Sequence, residues 1–155
     1  MIEKTSIITI ETATIDDSPM LAVMNRQLID DEGNGNTMTI AELEDRMREW
    51  LQKGVYTGYM FKLNGGIIGY ALVDLSEMWM RHFFICRECR RQGYGRAAVG
   101  LLFEKFGVDE IGLSCLTKNV AGQAFWRNFG HEAYSIKFSI QKPQSDRLNK
   151  TDLTK

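Results

Sequence analysis

The sequence predicts an α/β (mixed α+β) fold, a sandwich in which a central mixed β-sheet is flanked by helices, and three features carry that prediction. Two consecutive segments near the start repeat their apolar residues at helical spacing, before any long alternating stretch. In the middle, two alternating segments are joined by the turn signal Asn64-Gly65-Gly66, which makes an antiparallel hairpin. Later, strand and helix patterns alternate, as they do where parallel strands enter a sheet.

The elements follow in order. Ser6 to Ile10 is β-branched and reads as a first strand. Asp17-Ser18-Pro19 starts a helix, because proline's missing N–H costs nothing in a first turn. Met20, Leu21, Met24 and Leu28 continue that helix to about Asp30, before a polar, glycine-containing loop. Thr39 and Glu42 have the spacing of a capping box, and Ile40, Leu43, Met47, Trp50 and Leu51 form the apolar stripe of a second helix. The methionines of both helices read as core. Val55 to Leu63 and Ile67 to Leu75 are the hairpin strands, and Met78 to Ile85 is a third strand expected to be buried on both faces. A basic, glycine-punctuated turn leads into a helix from Ala97 to Phe106. Ile111 to Leu116 reads as a strand, Asn119 to Phe129 as a helix, and Ala133 to Ile140 as a last strand. With no repeat or linker, residues 1–140 are expected to form one domain, followed by a polar tail over 141–155.

Composition excludes several classes. The 19 basic and 20 acidic side chains leave a net charge of -1, which argues against a nucleic-acid partner held by bulk electrostatics. No apolar run approaches the ~20 residues of a membrane-spanning helix, and no secretory signal is visible. Three cysteines make no disulfide framework, so a cytoplasmic, reducing location is expected. Cys86-x-x-Cys89 lacks the further ligands that zinc needs, and no metal is expected.

The most informative segment is a strand followed by Arg90-x-x-Gly93-x-Gly95 and a helix. Glycines let backbone N–H groups approach a ligand closely, and a helix start favours negative charge. Phosphate or pyrophosphate suits that pairing, with Arg90, Arg91 and Arg96 adding charge. Two common phosphate loops do not fit. There is no Walker A run, and the dinucleotide fingerprint needs a glycine where this chain has Ala98.

The same segment closely resembles motif A of the GNAT superfamily of N-acetyltransferases. Downstream, the run from Asn119 through Ala124-Phe125-Trp126 to Gly130-His131 resembles that family's motif B. The order of elements matches as well, over roughly residues 5 to 140. The resemblance implies that the amides of Arg91, Gln92, Gly93, Tyr94, Gly95 and Arg96, with Arg90 alongside, bind the pyrophosphate of acetyl-CoA. It implies that pantetheine lies along Phe83, Phe84 and Ile85, with the Phe83 amide near the thioester oxygen. Asn119 would reach the cofactor from the fifth strand's end, and Trp126 would pack or donate near it. Many members carry a motif B tyrosine that protonates the leaving sulfur; here Phe125-Trp126 stands in its place. Indole N–H donates a hydrogen bond but is no usable acid. Either another group, such as Tyr94 or Tyr134, serves as the acid, or none does, since with thiol pKa values near 8.5 a thiolate leaves at neutral pH without full protonation.

Transfer to an amine requires a proton acceptor. The candidates are His82 and Glu77, placed on the central strand, with a solvent relay or a carboxylate of Asp30-Asp31-Glu32 as alternatives. Strand alternation puts His82 on one face with Met80 and Phe84. The acidic triplet Asp30-Asp31-Glu32 suits a cationic amine and equally a solvated helix end. The reading is therefore an acetyl-CoA-dependent N-acetyltransferase acting on a small-molecule or peptide amine, with no nucleic acid or membrane partner and a homodimer left open. The competing reading is a non-catalytic acyl-CoA sensor or interaction module on the same fold, for which the missing tyrosine speaks.

Overall fold

A computed structural model describes residues 7–129 and 138–143, and across residues 8–127 the helical and strand periods become elements in the expected order. The elements are β1 (Ile8–Thr12), α1 (Ser18–Glu32), α2 (Ile40–Gln52), β2 (Thr57–Leu63), β3 (Gly66–Asp74), β4 (Trp79–Ile85), α3 (Tyr94–Phe106), β5 (Gly112–Leu113) and α4 (Val120–Arg127). Packing divides the chain into two units, Met1–Gln123 and Ala124–Lys155.

In the first unit the sheet runs β1-β2-β3-β4-β5, antiparallel through β4 and parallel between β4 and β5. Local chemistry sets the element ends. The Glu42 amide donates to Thr39 Oγ1 at 3.2 Å and the Thr39 amide donates to Glu42 Oε2 at 2.8 Å, completing the capping box of α2. Asn64 and Gly65 both take positive φ, the geometry of a tight hairpin turn, and set Leu63 opposite Gly66. Gly33 ends α1 in the left-handed conformation, two residues later than the sequence suggested.

One face of the sheet packs on α1 and α2 through Leu21, Met24, Leu28, Met47, Met60, Tyr70, Leu72 and Phe84. The other face carries Tyr59 against Phe106 of α3 and Phe61 against Phe83. Met24 and Met47 are core as expected, whereas Met20 is exposed because it lies on the outer face of α1.

Three local expectations change. β4 is not buried on both faces: Arg81 is exposed, and His82 and Phe83 are half-buried. β5 accompanies it only at Trp79↔Gly112 and Met80↔Leu113, so the ladder stops where the sequence extended it to Leu116. His82 and Met80 do not share a face. The register passes from Leu72↔His82 to Val73↔Met80, leaving Arg81 as a one-residue bulge that reverses the alternation. Phe84, opposite Tyr70, does share the face of His82.

In the second unit Phe125, Trp126 and Phe129 form an aromatic cluster, with ring centroids 4.7 Å apart for the first pair. Residues 138–143 have no regular structure, and the expected last strand lies mostly outside the described residues. No helix among the described residues is long and apolar enough to cross a membrane.

Candidate active site

The turn after β4 is built to present backbone donors. A 3₁₀ turn over Arg87–Cys89 is followed by Arg90 in extended conformation, Arg91 at φ 63 and Gly93 at φ 84. α3 then begins at Tyr94, and its first helical bond runs from the Ala97 amide to the Gly93 carbonyl at 3.1 Å. The amides of Tyr94 and Gly95 precede that bond, and Gly93 brings no side chain to cap them. Together with the helix dipole, such donors are of the kind that suits an anion.

Two arginines brace this turn from behind. Asp31 accepts from Arg87 Nη2 at 2.6 Å and Nε at 3.0 Å, and its other oxygen accepts from Arg90 Nη2 at 2.6 Å. Arg90 Nε also donates to the Ile85 carbonyl at 2.8 Å. Burial alone would raise the Asp31 carboxyl, but hydrogen bonds and charge from Arg87 and Arg90 outweigh it and hold the group below 3.8. Gln92 donates its side-chain amide to the Glu88 carbonyl at 3.1 Å, closing the loop. Sequence alone gave no hint of the Asp31 tie, whose partners lie 56 and 59 residues away.

The acidic triplet is thus divided. Asp30 pairs with Arg26 at 2.9 Å and Asp31 with the loop arginines. Glu32, on the same helix, is half-buried and has no ion pair among the described residues. Burial raises its carboxyl pKa, Arg81 opposes that rise and Asp31 adds to it.

Beside Glu32 lies a polar cluster that sequence reasoning missed. Tyr70 Oη and His82 Nδ1 are 3.0 Å apart, and Arg46 Nη2 donates to Asn25 Oδ1 at 3.2 Å. Trp50 stands between these groups: the Arg46 and Arg81 guanidinium carbons lie 4.5 and 5.9 Å from its ring centre, and the His82 ring 6.1 Å. The available signal was Asn25, a polar residue on the apolar stripe of α1 between Leu21 and Leu28.

Burial pushes the Tyr70 phenol well above 10, so it stays protonated and can donate to His82. Burial also lowers His82 to about 3, with the charges of Arg81 and Arg46 adding to the effect. The imidazole is therefore neutral at physiological pH and a weak base. Its folded pKa lies below the unfolded value of 6.5, so the unfolded chain takes up the proton first as pH falls. The stability it contributes is full above pH 6.5 and is lost toward pH 3, by at most about 1.4 kcal/mol per pH unit. Denaturant titrations of wild type and His82→Gln across that range should show the variant with the flatter pH profile; parallel profiles would contradict the assignment.

The remaining sequence candidates fall in separate places. Glu77 is not on the central strand but in the exposed β3–β4 turn, where its amide donates to Asp74 Oδ1 at 3.3 Å. With Tyr56, Asp74, Trp79 and Arg81 it lines a groove of about 310 Å³. Asn119 caps α4, its Oδ1 accepting from the Gly122 amide at 2.9 Å. Trp126 belongs to the aromatic cluster of the second unit.

Comparison with known proteins gives a consistent answer. No curated protein matches the sequence. The fold is that of solved acetyltransferases. An aminoglycoside N-acetyltransferase in complex with CoA shares 15% identity over 92% of this chain and 99% of its own, with a TM-score of 0.69. A ribosomal-protein-alanine N-acetyltransferase from Brucella melitensis shares 12% identity over 88% and 100%, with a TM-score of 0.67. A predicted acetyltransferase with acetyl-CoA from Clostridium acetobutylicum shares 13% identity over 87% and 96%, also with a TM-score of 0.67. The model of the acetyltransferase (GNAT) family matches residues 26–131, a span running from the middle of α1 past the glycine turn and α4. With that match covering more than half of its length, the chain belongs to the GNAT acetyltransferase family.

Proposed function

We propose that the protein is an N-acetyltransferase that binds acetyl-CoA and a primary amine of a small molecule or peptide together, the amine attacking the thioester directly. The observation that carries this reading is the uncapped first turn of α3 behind Gly93, which suits a diphosphate. The solved neighbours named with CoA and acetyl-CoA support the same ligand. Bound acetyl-CoA supplies an acetyl thioester, whose acyl carbon bonds to the amine nitrogen as the C–S bond breaks and CoA leaves as its thiolate.

The chain's own residues would bind, align and deprotonate. The amides from Arg91 to Arg96 hold the diphosphate. Arg90, tied to Asp31 and the Ile85 carbonyl, positions the turn. Beyond Met80 the β4–β5 ladder ends, so Phe83, Phe84 and Ile85 run beside a gap in which a pantetheine arm can lie as an added strand. His82 holds its neighbours in place, its pKa of about 3 making it a poor acceptor of an ammonium proton. Glu32, a half-buried carboxylate with a raised pKa, is the better proton acceptor. Asn119, which caps α4, would support the cofactor end from the first unit.

Calorimetry with CoA and acetyl-CoA, followed by thiol release against a broad panel of amines, tests the proposal. Binding plus acetylation of at least one amine is expected. Absence of CoA binding to folded protein would overturn the assignment. Binding without acetylation of any amine would favour the acyl-CoA sensor, the reading for which Phe125-Trp126 speaks.

A further inference from the structure

Arg46 and Arg81 approach one tryptophan, and neither has an acidic partner among the described residues. Arg46 is half-buried on α2 and Arg81 is the bulged residue of β4, so two unrelated elements bring these charges together. Buried guanidinium nitrogens ordinarily find an acceptor, because leaving one unmade costs its full desolvation. Arg46 Nε is nevertheless buried with no hydrogen-bond partner. So is Nδ2 of Asn25, a side chain with 1% of its surface exposed whose Oδ1 already faces Arg46. Desolvation and the nearby Arg81 both act against the charge on Arg46. Two donors are thus held beside a pair of like charges without a well-aligned acceptor among the described residues, although Asn25 also acts on the Tyr70 hydroxyl.

We propose that this cluster binds a carboxylate carried by the acceptor, so that the amine substrates of this protein are amino carboxylates. The proposal rests on the N-acetyltransferase reading and narrows it. Charge guides the ligand. Arg46 and Arg81 bring two positive charges to Trp50, where a carboxylate fits, while Asp74 and Glu77 line the groove that Arg81 shares and suit the amine end of an amino carboxylate. A guanidinium fork matches a carboxylate in a bidentate arrangement, and Asn25 can donate alongside it. The groove continues past Arg81 to Tyr56 and Trp79, and the Tyr56 ring lies 5.0 Å from Trp50, which gives the carbon chain of such a substrate an aromatic wall. Arg81 also acts on the carboxyl of Glu32, the proton acceptor proposed for the amine.

The test uses matched acceptors: amino carboxylates, their carboxamides and phosphate-bearing amines of the same length. For the wild type, KM for the carboxylate should lie at least about tenfold below that for the carboxamide, with kcat similar. Arg81→Ala, at an exposed position that threatens folding least, and Arg46→Ala should each erase that preference while leaving CoA affinity unchanged. Calorimetry with N-acetylated amino carboxylates in the presence of CoA gives a second readout that needs no turnover, and the arginine variants should lose that heat. If amines are acetylated without a carboxylate preference, or if both arginine variants keep it, the inference fails while the enzyme reading stands. A preference for the phosphate-bearing amines would also overturn it. If no amine is acetylated, the enzyme reading fails, and the product calorimetry still decides whether the cluster holds a carboxylate.

Discussion

Gly95→Asp should abolish coenzyme binding without harming the fold. Gly95 is the second residue of α3, among the amides that precede the first helical hydrogen bond. A carboxylate there accepts from neighbouring amides and complements the helix dipole, which is worth about 0.3–1 kcal/mol to the folded state. The melting temperature should therefore hold or rise. The same charge occupies the donors proposed for the diphosphate and repels it, so CoA affinity should fall by at least about a hundredfold, equivalent to about 3 kcal/mol. Gly95→Ala, which adds no charge, should weaken binding by less than about tenfold. Calorimetry and thermal melting on the three proteins decide the matter. An aspartate variant that still binds CoA at the original affinity would remove the diphosphate from this turn.

The second large effect is structural. Gly69 of β3 lies so close to β4 that an added Cβ would sit 2.1 Å from the Phe84 carbonyl oxygen and 3.1 Å from Ile85 Cα. Both obstacles are backbone, so a side chain cannot swing aside to relieve the clash; the two strands must part. Gly69→Ala should cost about 3 kcal/mol or more, lowering the melting temperature by about 10 °C. Gly66→Ala is the control, since its Cβ would meet only the Leu63 carbonyl at an ordinary 3.5 Å and should cost little. Equal stability of the two variants in denaturant would show that the β3–β4 approach is not as tight as the structure has it. The consequence reaches the proposed function, because β4 carries both Arg81 and the edge proposed to lie along the coenzyme arm.

Much of this was legible in advance, for local reasons. The capping box at Thr39 and Glu42 and the Asn64-Gly65 turn depend on residues three apart or fewer, and the structure forms both. The glycine turn between β4 and α3 was readable for the same reason, because uncapped helix amides need only a short stretch of chain. What could not be read were contacts between distant segments. Asp31 looked like part of a uniform acidic helix end, yet it closes on Arg87 and Arg90 far along the chain, while Glu32 beside it has no ion pair among the described residues.

The sequence by itself determined the order of elements, the family resemblance and the place of the glycine turn, since hydrophobic period and turn chemistry are properties of neighbouring residues. Tertiary structure alone decided the faces. One extra residue at Arg81 reverses the alternation of β4, so His82 meets Tyr70 and Trp50 while Met80 turns to the opposite side. A bulge exists only relative to the strand paired with it, and burial, which holds His82 neutral and leaves Arg46 Nε without an acceptor, exists only once helices cover that face.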